Sequence, residues 1–279
     1  MASETRNKAD NWSADAYGKK VAPFVAALTS KVVEWLDPQP QDEILDVGCG
    51  EGVLTAKIAS HVKRIVGVDA SPNMIESFNK TYPDIDARVV DCRYLDQDTS
   101  LCNASFDKVF SNAALHWILR DGKTRAYTIK GCYDALKPGG ILVSESGALG
   151  NVAEVHAAII AALVHQGIPA EVARNASPWW FPSIEAMRNL VEAQGFRWVK
   201  GEVELRQTEL TKGEGGGIEG WVRLFGAEFL ALLSEDQREA AVKEVVQVLE
   251  GVGRRQHDGA FTVNYVRLRF VAQKDPKAK

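Results

Sequence analysis

Nothing in this chain is strongly basic, continuously apolar or rich in cysteine. Lys and Arg number 33 against 37 Asp and Glu, a formal charge of -4. A partner held through phosphates needs a clustered basic face, so no nucleic-acid partner is expected. No apolar run approaches the ~20 residues that cross a bilayer, and the start, MASETRNKADNWS, lacks a signal-peptide apolar core. A cytoplasmic setting without a membrane partner is expected. Cys49, Cys92, Cys102 and Cys132 stand far apart, without CxxC or Cys/His spacing. That argues against a disulfide framework and a zinc site, and no metal is expected. Low-complexity stretches and repeats are missing too. The remainder, 46% hydrophobic and 25% charged over 279 residues, suffices for one full core with a cap. Small-molecule partners are favoured, with the chain a monomer or a weak dimer.

What is present centres on Ile44 to Gly52, ILDVGCGEG, an apolar run with an acid at Asp46 and then Gly48, Gly50 and Gly52 at alternate positions. It reads as a strand ending in a tight turn that feeds a helix from Val53 to Ser60, with helix N–H groups facing a ligand. A dinucleotide turn needs G-x-G-x-x-G/A, and the third small position is here Val53. Asp46 would also repel a pyrophosphate, whereas it suits an ammonium or hydroxyl group. A purely structural strand-to-helix turn is the plain alternative.

Arg64 to Asp69, RIVGVD, is a second strand, ending in an acid about 20 residues past the glycines, where a carboxylate accepts from a ribose diol. Ser71 and Pro72 follow as N-cap and first helical residue. Ala87 to Asp91 and Phe106 to Ser111 read as third and fourth strands, and LKPGGILVS, Leu136 to Ser144, as a helix end, a turn and a fifth strand. Strands separated by helical stretches predict a doubly wound α/β fold with a parallel sheet.

Five motifs in this order, ILDVGCGEG, IVGVDAS, VVDCRYL, FDKVFSNAALHW and LKPGGILV, resemble the class I S-adenosylmethionine-dependent methyltransferases over residues 10 to 150. The resemblance implies a Rossmann-like, seven-stranded, mostly parallel sheet with helical lid insertions, and S-adenosyl-L-methionine as cofactor. It implies cofactor contacts at Tyr17, Asp46, Gly48, Cys49, Gly50, Asp69, Ala70, Ser71, Met74, Asp91, Cys92 and Asn112. Cys49 and Cys92 read equally as small residues filling space.

Three parts of one domain are expected: an N-terminal helical cover (1–40), a cofactor-binding core (41–150), and the rest of the sheet with lid insertions (151–279). In the last part, helices are predicted at Asn151–His165, Ile184–Gln194, Ile218–Leu233 and Glu235–Glu250, strands at Phe196–Leu205 and Ala260–Ala272, the final one antiparallel, and a flexible GEGGG loop. Connections leaving the carboxyl ends of the strands can lengthen without disturbing the core and form a natural substrate lid.

The resemblance places Trp12, Tyr17, His116, Trp117, Trp179, Trp180 and Phe181 over the transferred methyl, a lining suited to a planar or hydrophobic acceptor. Packing within the lid or core is the plain alternative for Trp117, Trp179 and Trp180. His116 is read as a proton acceptor or a positioning group. The other histidines, His156 among them, read as surface or helix residues. No acid/base pair stands out, which favours a thiol or carboxylate acceptor. NWSADAY with SNAALHW is similar to trans-aconitate methyltransferase-like enzymes and to fungal small-molecule methyltransferases of the gliotoxin bis-thiomethyltransferase type. S-methylation of a dithiol secondary metabolite is the first expectation. O-methylation of a small carboxylic acid or a hydroxyl is the second, although Arg120, Arg174 and Arg223 gather in no acceptor motif; a non-catalytic adenosine-binding regulator is the third.

Overall fold

Residues 30–211 and 216–277 are described by the structure, a computed structural model. The chain enters through α1 (Ser30–Leu36) and β1 (Glu43–Val47), then α2 (Val53–Ala59), β2 (Arg64–Asp69), α3 (Pro72–Thr81) and β3 (Asp86–Val89). A short 3-10 helix (Cys92–Gln97) leads to β4 (Phe106–Asn112), α4 (Leu115–Ile118), α5 (Arg125–Ala135) and β5 (Leu136–Gly147). These elements form where short Val, Ile and Leu runs alternate with amphipathic stretches. Ser71 caps α3 as its sequence predicts, its Oγ accepting from Met74 N at 3.1 Å with Pro72 next in line.

The sheet has seven strands in the order β3-β2-β1-β4-β5-β7-β6. The first five are parallel; β7 (Thr262–Gln273) runs antiparallel between β5 and β6 (Arg197–Glu209). The doubly wound, mostly parallel sheet expected from the β-α pattern is therefore the one observed. Lys137 to Gly140 bulge out of the β4–β5 register, and Gly139 takes φ 82° there.

Both insertions fold as helices. Between β5 and β6 lie α6 (Ala153–His165), α7 (Ala170–Asn175) and α8 (Ile184–Ala193); between β6 and β7 lie α9 (Gly217–Phe225), α10 (Ala227–Leu230) and α11 (Glu235–Gly253). The helix expected over Ile218–Leu233 is instead two, parted at Gly226, where a Cβ would stand 2.5 Å from Val222 O. The GEGGG loop lies mostly outside the described residues. So do Trp12, Tyr17 and most of the predicted N-terminal helix.

One apolar cluster lies within the insertions, built from α6, α9, α10 and α11 around Trp179, and reaches the sheet at Phe261 and Val263. Two others fill the sheet's faces: one joins α5 and α8, and the other joins α1 and α2. Among the glycines of the core, Gly131 on α5 sits where a Cβ would lie 2.6 Å from Asp96 N and 2.7 Å from Leu95 C. Backbone cannot yield cheaply, so Gly131→Ala is expected to cost about 1–3 kcal/mol. In urea titration it should lower the midpoint without changing the slope.

Candidate functional site

The three glycines of the first turn answer three different demands. Gly48 (φ 79°) touches Ala114, whose Cβ would stand 2.2 Å from a Cβ added there, so the turn presses on the segment after β4. Gly52 (φ 82°) would meet the Phe78 ring at 2.5 Å. Gly50 (φ 56°) would meet nothing within 4 Å, so its backbone borders open space. A phosphate cradle needs N–H groups aimed at its ligand. Here Gly48 N and Cys49 N both donate to Val68 O, at 2.8 and 3.1 Å, and Gly50 N donates to Asp69 Oδ2 at 3.0 Å. These donors are consumed internally, which favours a ligand without phosphate, as the placement of Asp46 implies.

Asp69, at the end of β2, also accepts from Ser71 N at 2.9 Å through Oδ1. It thus clips the glycine turn to the start of α3 at the place expected for a ribose diol. Asp46 is 3% exposed and accepts from Thr55 Oγ1 at 2.7 Å. Asp46 is thus a carboxylate under the turn, fastened to α2, with little of its surface open. Burial pushes it up to about 7, with the charge of Asp69 adding to the rise and Thr55 opposing it. Burial likewise raises the thiols of Cys49 and Cys92. Cys92 is 2% exposed and belongs to the core, so the space-filling reading suits it.

Other expected cofactor contacts are distributed unevenly. Ala70 is exposed beside Asp69, and Met74 is buried on the core side of α3. Asp91 is held by Arg93, which donates Nε to Oδ1 at 2.9 Å and Nη2 to Oδ2 at 2.5 Å. Its direct contact with an adenine edge therefore competes with a half-exposed ion pair, which is weak enough to yield. Asn112, at the end of β4, has its Oδ1 buried without a hydrogen-bond partner among the described residues. An adenosine ligand carrying an ammonium fits this set: a diol acceptor, open space at Gly50, and an unpartnered carbonyl oxygen.

His116 on α4 is buried, and its Nδ1 accepts the backbone N–H of Gly147 at 3.2 Å. Burial, aided by the charge of Arg267, holds its pKa well below the usual imidazole range. The ring is thus neutral with its proton on Nε2, so neither nitrogen presents a lone pair for an incoming proton. This arrangement favours the positioning reading of His116 over the proton-acceptor one.

Around His116 the lid brings aromatic rings together. His116 lies 5.6 Å from both Trp117 and Phe181, and Trp117 lies 5.5 Å from Trp179, which stacks on Phe181 at 5.5 Å. Phe181 covers Gly147, where a Cβ would strike its ring at 2.6 Å. Trp180 points elsewhere, under the guanidinium of Arg125 at 3.9 Å. Trp179, 7% exposed, is the centre of the lid's own core, with Trp221 and Phe229 as neighbours. For Trp179 and Trp180, packing is thus the primary role.

Sequence reasoning missed Gly147, His156 and Arg267. His156 on α6 is not a surface residue: its ring faces Trp179, Phe181 and Phe229, and its Nε2 is buried. Arg267 is 8% exposed on β7, directly opposite Gly147. The available signal was VRLRFV, two arginines alternating with apolar residues in a strand that reads as buried.

Comparison with known proteins points one way. A family model described as a methyltransferase domain matches residues 45–144. An uncharacterised methyltransferase of Schizosaccharomyces pombe is 37% identical over 266 residues, covering 95% of this chain and 99% of that protein. In fold, the chain is similar to a putative methyltransferase of Bacillus halodurans, with TM-score 0.59, 14% identity, and 89% and 99% of the two chains covered. It is also similar to a Haemonchus contortus phosphoethanolamine N-methyltransferase, solved with phosphomonomethylethanolamine and S-adenosylhomocysteine. There the TM-score is 0.52 at 17% identity, with 93% of this chain and 56% of that one covered.

The buried Asp46 has a measurable consequence. A carboxyl whose folded pKa of about 7 lies above its unfolded value near 3.8 binds a proton preferentially in the native state. Its stabilising contribution is complete below about pH 4 and is lost as pH rises to about 7. By linkage, this amounts to about 4 kcal/mol. Urea titrations of the ligand-free protein from pH 4.5 to 7.5 should show this decline against the Asp46→Asn variant, in which it should be absent.

Proposed function

This chain belongs to the class I S-adenosylmethionine-dependent methyltransferases, and on that premise we propose that its acceptor is a small molecule held beneath the aromatic lid and methylated without a protein base. S-adenosyl-L-methionine is the cofactor. Asp69 would receive the ribose hydroxyls, Gly50 would border the ligand, and Asn112 Oδ1 would take a donor such as the ammonium group. When bound, the cofactor supplies a methyl group on a sulfonium, already a good leaving group. The protein's own task is alignment and exclusion of water.

The observation that carries this reading is the hydrogen bond from Gly147 N to His116 Nδ1. A base must present a free lone pair within reach of the proton, and that bond removes the one His116 would use. His116 then serves as a fixed Nε2–H donor, held between Gly147 and the lid, where Trp180 N donates to its backbone oxygen at 2.8 Å. An acceptor that is nucleophilic unaided suits such a site. A thiol qualifies, because a pKa of about 8.5 leaves a few per cent thiolate near neutrality. A carboxylate qualifies fully, while an alcohol does not.

Two acceptor classes therefore remain, each with its own support. S-methylation of a dithiol carried on a hydrophobic ring system draws on the rings of Trp117 and Phe181 beside His116. O-methylation of a small carboxylic acid draws on the buried guanidinium of Arg267. Incubation with labelled cofactor and a panel of reduced dithiols, carboxylic acids and phenols separates them. Label should pass to a thiol or an acid; exclusive methylation of phenols, at a rate that stays flat with pH well below the phenol's own pKa, would sink the base-free mechanism. His116→Gln should lower kcat/KM without altering its pH profile between pH 6 and 9. Asp69→Ala should weaken cofactor binding about 100-fold in calorimetry, through lost charge-assisted hydrogen bonds.

A further inference from the structure

Beside the aromatic lid, β5, β6 and β7 hold a buried cluster of charges. Glu145 accepts from Arg206 Nη1 at 3.1 Å and Nη2 at 3.3 Å, and also from Arg269. Arg269 further reaches Glu202 and Glu204, Arg206 reaches Glu204, and Lys31 of α1 reaches Glu202. Arg267 completes the group with one contact, its Nε 3.5 Å from Glu145 Oε1. Among the described residues, four cations thus face three carboxylates. Burial pushes Glu145 up, yet Arg267, Arg206 and Arg269 outweigh it and hold the carboxyl below its usual range.

A guanidinium has five N–H donors in a planar fork suited to a carboxylate. Both terminal nitrogens of Arg206 and of Arg269 donate within the cluster, while Arg269 Nε is buried without a hydrogen-bond partner among the described residues. The Arg267 side chain is only 9% exposed, and among the described residues its terminal nitrogens have no partner. A buried cation so weakly paired is costly unless something else completes it.

Its position indicates what that is. Arg267 pairs in register with Gly147, whose N–H is held by His116, and Phe181 covers the same glycine. Towards the lid, Val263 and Tyr265 alternate on the same face of β7; away from it, Arg269 and Val271 continue towards α1. Arg267 therefore stands where lid, sheet and the N-terminal side of the molecule meet. The glycine turn is three strands away, about 14 Å at normal strand spacing.

We propose that Arg267 is the specificity residue of the acceptor site, a bidentate anchor for a carboxylate on the acceptor. The inference rests on the small-molecule methyltransferase reading above, and it holds whether the methyl goes to that carboxylate or to a sulfur elsewhere on the same molecule. Glu145, shared by three guanidiniums, keeps Arg267 in place without saturating it. Lysine, with one strongly hydrated point charge, is a poor substitute for the planar fork.

The test uses binding, so it does not depend on finding the natural acceptor. Phenylacetate, cinnamate and fumarate, each against its primary amide, are titrated by tryptophan fluorescence into the full-length protein saturated with S-adenosylhomocysteine. For the wild type, at least one acid should bind about 30-fold more tightly than its amide, as an ion pair with two hydrogen bonds predicts. Arg267→Gln should reduce the preference to near unity, with Arg267→Lys in between, while S-adenosylhomocysteine binding by calorimetry stays unchanged in both. No preference in the wild type, or one that survives Arg267→Gln, overturns the anchor. A fall in cofactor affinity with Arg267→Gln overturns it too, by assigning the guanidinium to the cofactor's carboxylate. Failure of the wild type to bind S-adenosylhomocysteine would instead refute the methyltransferase reading itself. Comparing acid with amide inside one variant keeps the result independent of any loss of stability.

Discussion

Much of this molecule depends on one pair of residues fixed opposite each other in the sheet. Glu145 on β5 and Arg269 on β7 are paired in register, 2% and 0% exposed, and joined side chain to side chain. Neither charge can stay buried without partners, and the cluster they centre draws on β5, β6 and β7 together, so it favours one placement of β7 between its neighbours. A slip of one residue would turn Arg267 and Arg269 towards the face where Leu268 and Phe270 now pack with α5 and α8. The same register puts Arg267 opposite Gly147, and Gly147 holds His116. From that one pairing follow the site's far wall, the tautomer of its histidine and the seat of the lid.

Two carboxylates near the glycine turn, Asp46 and Asp69, illustrate how burial divides labour among identical groups. Asp69 stays partly accessible and accepts backbone N–H bonds from Gly50 and Ser71. Asp46 sits beneath the turn with one hydroxyl partner, and desolvation pushes its pKa up to about 7. One carboxylate remains suited to hydrogen-bonding a ligand, while the other supports the turn. His116 follows the same logic as Asp46: burial beside a cation keeps the ring uncharged, and a single backbone hydrogen bond decides which nitrogen keeps the proton.

Fold and cofactor side were legible in the sequence because their signals are local. Strand β2 was bounded correctly at Arg64 and Asp69 by its apolar run, and the start of α3 by Ser71 and Pro72, whose cap geometry involves neighbours three residues apart. Errors arose where tertiary contact overrides pattern. The predicted Ile218–Leu233 helix breaks at Gly226, which lies against Val222 and close to Ile159 of α6. Trp179 and Trp180, adjacent and alike in sequence, part company because one enters the lid core and the other lies under Arg125. His156 reads as an ordinary helical histidine until the lid closes three aromatic rings around it.

By itself, the sequence determined the β-α order, the phosphate-free character of the first turn and the acid at the end of β2, since each depends on residue types a few positions apart. Tertiary structure alone decided the acceptor side. Glu145 and Arg269 are separated by 124 positions, and His116 and Gly147 by 31. No periodicity reports such pairings, because they arise only when an antiparallel strand from the end of the chain is laid against one from the middle. Burial then fixes which charges are consumed within the cluster and leaves Arg267 with the longest ion-pair contact in it.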